Sequence, residues 1–174
     1  MPKEKKILWE GKYLRLCEAQ SWEWIERVHS TGVVMILAMT AQRKVVLVEQ
    51  YRVPVQGPAI EFPAGLVGDN GSEESMETAA RREFLEETGY RAKRWTLLTE
   101  GPPSPGMSSE NISIYLAEDL EKAHDGGGDA TESILVHEIP MKEVHAWLES
   151  QRTQGKHVDP KVYAGLYFLT SRPS

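Results

Sequence analysis

Three glutamates fall within five positions of this chain, at Glu83, Glu86 and Glu87. The surrounding residues read as a helix. With Glu83 as the zero direction, Glu87 lies about 40° to one side and Glu86 about 60° to the other, so the carboxylates share one edge. Like charges so placed weaken a helix by about a few tenths of a kcal/mol per pair unless something cationic sits among them. Hard oxygen donors at this density suit a divalent ion, Mg2+ or Mn2+. A glutamate-rich helix is ordinarily a solvated face. The neighbouring residues weigh against that here. Met76, Ala79 and Ala80 fall near one side and Phe84 sits about 100° from Glu83, so the acidic edge borders the predicted buried face. Arg82 stands beside it as an internal counter-ion.

The flanks supply the ends of this helix. Ser72 is predicted as its N-cap, with Glu73 and Glu74 in the first turn where acids suit the dipole. Gly89 is the residue that stops it. Extrapolated along one helix, Glu74 would point about 180° from Glu83, so its expected task is bracing the loop or pairing with Arg82. Upstream, Pro63 holds Phe62 extended, and Gly65 allows the turn that brings the Ala64 carbonyl toward the acidic edge.

The rest of the chain must hold this helix. Residues 33–39 form a continuous apolar run, the mark of a central buried strand, and residues 44–51 are predicted as its hairpin partner. Residues 60–63, 95–99, 111–117 and 134–139 read as further strands. Helices are predicted over 141–151 and from Asp159 onward, where Pro160 takes the first helical position. Residues 125–130, DGGGDA, read as a mobile segment, since they lead into a strand and not into a phosphate-cradling helix. Residues 5–28 read as short strands too small to stand alone, which must pack on the main body or on a second subunit. Four of the histidines, His124, His137, His145 and His157, are placed on a strand or in surface segments and read as bland.

Composition narrows the class. At 174 residues, 40% apolar and net charge −6, the chain suits one soluble globular domain and argues against non-specific nucleic-acid binding. There is no apolar run long enough for a membrane helix and no signal-peptide pattern. The lone Cys17 excludes an internal disulfide and a multi-cysteine zinc site. Together these point to the cytoplasm.

The run Gly68, Glu74, Arg82, Glu83, Phe84, Glu86, Glu87, Gly89, Tyr90 resembles the Nudix box, G-x5-E-x7-R-E-U-x-E-E-x-G-U, with every fixed position filled. The preceding EFPAGL, residues 61–66, and the Tyr51-Arg52 pair resemble the ADP-ribose pyrophosphatase branch. There the motif glycine follows alanine, which favours Gly65 over Gly68 as the structural glycine. The resemblance implies an α/β fold, a Nudix-type α/β/α sandwich with a mixed sheet (residues 31–174), preceded by a small N-terminal β-sheet (residues 1–30) used in dimerisation. It implies Mg2+-dependent hydrolysis of ADP-ribose or other nucleoside diphosphate sugars by a homodimer, with no nucleic acid or membrane partner. Glu83, Glu86 and Glu87 with the Ala64 carbonyl would hold metal. Arg82 would orient the carboxylates, and Glu132 on the glycine-rich loop would act on water, with Asp129 as the alternative. Arg52 and Glu61 would meet the substrate. Tyr13 and Trp24 would sandwich its base, Trp22 competing with Trp24. Two other readings stay open: a Nudix-fold sensor that binds without cleaving, and a hydrolase of dinucleoside polyphosphates.

Overall fold

The computed structural model describes residues 4–68, 73–128 and 133–171. Strand β1 (Lys6–Glu10), β2 (Leu14–Ala19) and β3 (Trp22–Arg27) form an antiparallel sheet of their own, in the order β1-β2-β3. The β2–β3 hairpin turns on Gln20 and Ser21, both with positive φ (55° and 69°), the geometry that matches strand twist in a two-residue turn. This sheet is fastened to the body through residues 104–110. Ile25 N–H donates to the Met107 carbonyl (2.9 Å), Ser109 N–H donates to the Ile25 carbonyl (3.2 Å), and Arg27 pairs with Glu110.

Strand β4 (Gly32–Ala38) is buried along its whole length, as its apolar run predicted. Its side chains divide by the strand period of two. Val33, Met35 and Leu37 enter one core layer and Val34, Ile36 and Ala38 the other. Strand β5 (Lys44–Arg52) divides likewise, with Val45 and Leu47 in the first layer and Val46 in the second. The predicted β4–β5 hairpin does not form. Only a Met39–Val45 bridge joins them, and the strands enter different sheets. A strand buried on both faces needs a partner on each edge, and both of β4's edges are taken. β7 (Ala64–Val67) lies antiparallel on one side and β9 (Ile112–Lys122) parallel on the other. β8 (Tyr90–Gly101) completes that sheet beyond β9, in the order β7-β4-β9-β8.

β5 instead pairs with β6 (Gly57–Glu61), reached through a 3-10 turn at Val53–Val55, and with β10 (Ile134–Pro140). A two-residue strand β11 (His157–Val158) lies parallel to β6. The chain crosses from the β5 sheet to the β4 sheet at Phe62-Pro63, where Ile36 N–H donates to the Pro63 carbonyl (2.8 Å). Prolines lack a donor, so such a break between two sheets suits one.

Helix α1 (Met76–Thr88) covers the second core layer. Helices α2 (Val144–Thr153) and α3 (Pro160–Thr170) cover the first, through Val144, Leu148, Val162 and Leu166. The order of layers is helix, sheets, helix, the α/β/α sandwich expected from the sequence. α3 begins as predicted, with Asp159 as N-cap and Pro160 behind it. α2 begins three residues later than predicted, at Val144, and the strands predicted over 95–99 and 111–117 run longer at both ends or at one. Among the described residues no helix is long and apolar enough to cross a membrane.

Candidate active site

The cap of α1 is Ser75, whose hydroxyl accepts from Thr78 N–H at 3.1 Å. The predicted cap, Ser72, lies outside the described residues. Glu74 therefore precedes the helix and has no helical direction, which frees it to fold back onto Arg82. The helix ends at Gly89 (φ 70°), whose N–H donates to the Leu85 carbonyl at 2.8 Å. A left-handed residue at this place is what favours glycine.

What fixes the acidic edge is the buried face that adjoins it on the same helix. Phe84 is fully buried, stacked on Tyr90 with ring centroids 6.4 Å apart and edge-on to Trp95 at 5.9 Å. Burying a Phe side chain stabilises by about 1.5–3 kcal/mol, so rotating the helix to move its carboxylates would be costly.

Arg82 organises the carboxylates. Its Nη2 donates to Glu74 Oε1 at 2.8 Å and to the Leu66 carbonyl at 3.3 Å, while Nε reaches Glu74 Oε2 at 3.4 Å. Its Nη1 donates to Glu83 Oε1 at 2.8 Å and to Glu86 Oε2 at 3.2 Å. One planar guanidinium thus spans the loop before the helix, strand β7 and two of the three clustered acids. The Glu74 carboxylate holds the Arg82 pKa above its usual value, against partial burial, and Arg82 with the Gly68 N–H holds the Glu74 carboxyl below its own.

Glu87 is the buried member, 2% exposed, with Oε2 accepting the Ala64 N–H at 3.2 Å. Glu83 lies against Gly65, where an added Cβ would overlap the Glu83 carboxyl carbon and Cγ. Gly65 sits within β7 and has no positive φ; the left-handed glycine of this loop is Gly68, at φ 76°. The hinge expected at Gly65 is therefore at Gly68, and Gly65 serves instead to admit the Glu83 carboxylate. Gly65→Ala should move a flexible carboxylate more than it disturbs the fold. The expected result is a melting temperature within a few degrees of the parent and turnover lower by about tenfold or more, checked by calorimetry and steady-state rates.

Among the described residues no set of three or more His, Cys, Asp or Glu side chains forms a ready metal cage, since Arg82 lies among the acids. The donor set nonetheless fits a hard divalent ion. It consists of carboxylate oxygens on one helix edge, with a side-chain-free cradle at Gly65 facing Glu83.

The other predicted site residues fall in separate places. Arg52 Nε pairs with Glu61 Oε2 at 2.8 Å, and both line a groove of about 510 Å3 with His157, Asp159 and Lys161. Trp24 donates from Nε1 to Glu26 at 2.8 Å and lines a groove with Trp22 and residues of the proline-rich loop. Tyr13, 65% exposed, lines a different groove beside Lys12 and His29. Within one chain these aromatics do not face each other across a common groove. Glu132 and Asp129 lie outside the described residues. His137, read as bland, has a structural pairing: His137 Nε2 and Lys156 Nζ both meet Glu49 Oε2 at 2.8 Å, joining strand β5, strand β10 and the turn after α2. The histidine alone carried no signal for this, because its partner Glu49 lies 88 positions before it.

A NUDIX domain family model matches residues 28–164. The chain belongs to the Nudix family. Curated relatives include the ADP-ribose pyrophosphatase of Bacillus subtilis (strain 168), 35% identical over 127 residues, which are 72% of this chain and 67% of that one. The methanol dehydrogenase activator of Bacillus methanolicus is 34% identical over 128 residues, 73% of this chain and 68% of that protein. A GDP-mannose pyrophosphatase of Cronobacter sakazakii (strain ATCC BAA-894) is 36% identical over 149 residues, covering 81% and 74%. A solved structure of an ADP compounds hydrolase superposes with a TM-score of 0.73 over 97% of this chain and 91% of its own, at 20% identity, a likeness of fold. As a Nudix hydrolase, the chain is a member of a family that uses divalent metal ions.

Proposed function

We propose that this Nudix hydrolase cleaves the pyrophosphate bond of nucleoside diphosphate sugars, ADP-ribose first among them, with Mg2+ as the working ion. The observation that carries the reading is the Arg82 clamp on Glu74, Glu83 and Glu86 beside the buried Glu87. Relatives named ADP-ribose pyrophosphatase and GDP-mannose pyrophosphatase support the substrate class.

Glu83, Glu86 and Glu87, with the Ala64 carbonyl, would hold the ion. When bound, the ion shields and polarises the diphosphate and lowers the pKa of water. Water adds to one phosphorus, the bridging P–O bond breaks, and a nucleoside monophosphate and a sugar phosphate leave. Arg82 keeps the carboxylates in register. Arg52 exchanges its Glu61 partner for substrate phosphate, a group that a guanidinium binds in bidentate fashion. Glu132 takes the proton from water, and Glu132→Gln should lower kcat by about 10²-fold or more with KM little changed. The same loss in Asp129→Asn, with Glu132→Gln active, would transfer that task to Asp129.

The N-terminal strands leave Ile7, Trp9, Tyr13, Leu14 and Trp22 exposed, an apolar surface that suits a partner subunit. We place the dimer interface there, with Tyr13 and Trp24 brought to one base across it. Sedimentation equilibrium should give twice the 19.6 kDa chain mass, and a monomer at micromolar concentration would refute it. Cys17, a buried free thiol, suits a reducing cytoplasm.

The function itself is tested by a panel of ADP-ribose, GDP-mannose, UDP-glucose and a dinucleoside polyphosphate, each with and without Mg2+. Fastest metal-dependent turnover should fall on a nucleotide sugar. Preference for the dinucleoside polyphosphate, or binding without cleavage, would reject the assignment.

A further inference from the structure

The acids of α1 sit in its last turns, at the negative end of the helix dipole, where the final carbonyls also lack intrahelical partners. Every one of those carbonyls is met. Phe84 O accepts the Thr88 hydroxyl, and Leu85 O accepts Gly89 N–H at 2.8 Å. Glu86 O accepts Gly128 N–H at 3.1 Å and Glu87 O accepts Gly127 N–H at 2.9 Å. Thr88 O accepts Lys122 Nζ at 3.0 Å. Gly89 O in turn accepts Ala123 N–H at 2.8 Å and His124 N–H at 3.2 Å.

Two of these donors come from the glycine-rich segment read from the sequence as mobile. Gly126, Gly127 and Gly128 instead lie docked on the helix end, with φ of 76°, 117° and 80°. Three successive left-handed residues are a conformation that side chains resist. A Cβ on Gly126 would also overlap the Glu87 carbonyl oxygen, and one on Gly89 would overlap the His124 carbonyl. Positive φ favours glycine at all three positions, and close approach requires it at Gly126.

We propose that residues 126–128 are a positioning element of the active site. Their backbone donors clamp the carbonyls of Glu86 and Glu87, and so fix the directions in which those two side chains leave the helix. The inference rests on the reading of Glu86 and Glu87 as holders of a divalent ion. An ordinary cap would stabilise the helix only. A clamp on the two site residues also sets metal affinity and rate.

Gly127 and Gly155 provide a matched pair. Both have positive φ, 117° and 83°, and a Cβ on either meets nothing within 4 Å. Gly155 lies in the turn after α2. Alanine at each imposes backbone strain without a clash, so both variants should lose melting temperature, Gly127→Ala the more because its φ lies further from the left-handed well. Only Gly127→Ala should weaken Mn2+ binding, followed by electron paramagnetic resonance, by about fivefold or more, and lower kcat by about tenfold or more. Wild-type Mn2+ affinity in Gly127→Ala, or equal losses in Gly155→Ala, would overturn the proposal. Should Gly127→Ala not fold, Gly128 decides. Asn tolerates left-handed backbone and Val does not, so Gly128→Asn should keep Mn2+ affinity within about twofold and Gly128→Val should lose it. Equal affinities in that pair would overturn the clamp. If the parent binds Mn2+ but cleaves no diphosphate, the proposed function fails while the Mn2+ measurements still judge the clamp.

Discussion

Glu87→Gln is expected to fold as well as the parent chain and to lose turnover by about 10²–10³-fold or more. The side chain is 2% exposed and accepts the Ala64 N–H, a bond that a glutamine oxygen can keep. The substitution preserves the shape and the oxygen that accepts from Ala64, and exchanges the other carboxylate oxygen for an uncharged amide nitrogen. The amide is of the same size and is the easier group to bury, so the melting temperature should stay within a few degrees of the parent while the rate collapses. That combination marks a group kept for chemistry against its own cost in stability. A rate within about threefold of the parent would remove Glu87 from the site.

Arg82→Lys should have the second-largest effect, and on stability and rate together. The guanidinium serves Glu74 through one edge and Glu83 with Glu86 through another nitrogen. An ammonium is a single point and cannot serve both groups. Breaking a fully buried pair costs about 3–5 kcal/mol; the Arg82 side chain is 28% exposed, so a loss of about 2–3 kcal/mol is expected. Turnover should fall by about tenfold or more as the acids lose register. The acid limb supplies a separate sign. Arg82 depresses the Glu74 carboxyl below its ordinary 4.5. The stability this adds is present above that value and is lost as pH falls through the depressed one. Arg82→Lys should therefore flatten the decline in stability below about pH 4.5. Urea titrations at pH 7 and pH 3.5 check both parts. Equal slopes in parent and variant would show that Glu74 does not depend on Arg82.

Much of this was legible because local rules and spacing agreed. The full apolar run of β4 marked a strand buried on both faces, and the capped, proline-led start of α3 followed from Asp159 and Pro160. The shared acidic edge beside Phe84 came from helical spacing alone. The errors arose where distant residues decide. β4 and β5 are neighbours in sequence, yet β7 and β9 occupy the edges of β4 and send β5 elsewhere. Gly65 and Gly68 are indistinguishable by composition; one is needed because Glu83 packs against it and the other because of its φ. The segment DGGGDA reads as loose by its residues, but the carbonyls of α1 hold its glycines, and only the folded helix end reveals that need. The Glu49 pairing with His137 and Lys156 was invisible for the same reason.

The most direct measurement is a Mg2+ titration with ADP-ribose as substrate and chromatographic identification of the products. AMP and ribose 5-phosphate are expected in equal amounts, formed only with the divalent ion, with no measurable products from Glu87→Gln on the same time scale. Undiminished cleavage after exhaustive chelation, or release of free phosphate or free adenosine in place of the two monophosphates, would contradict it.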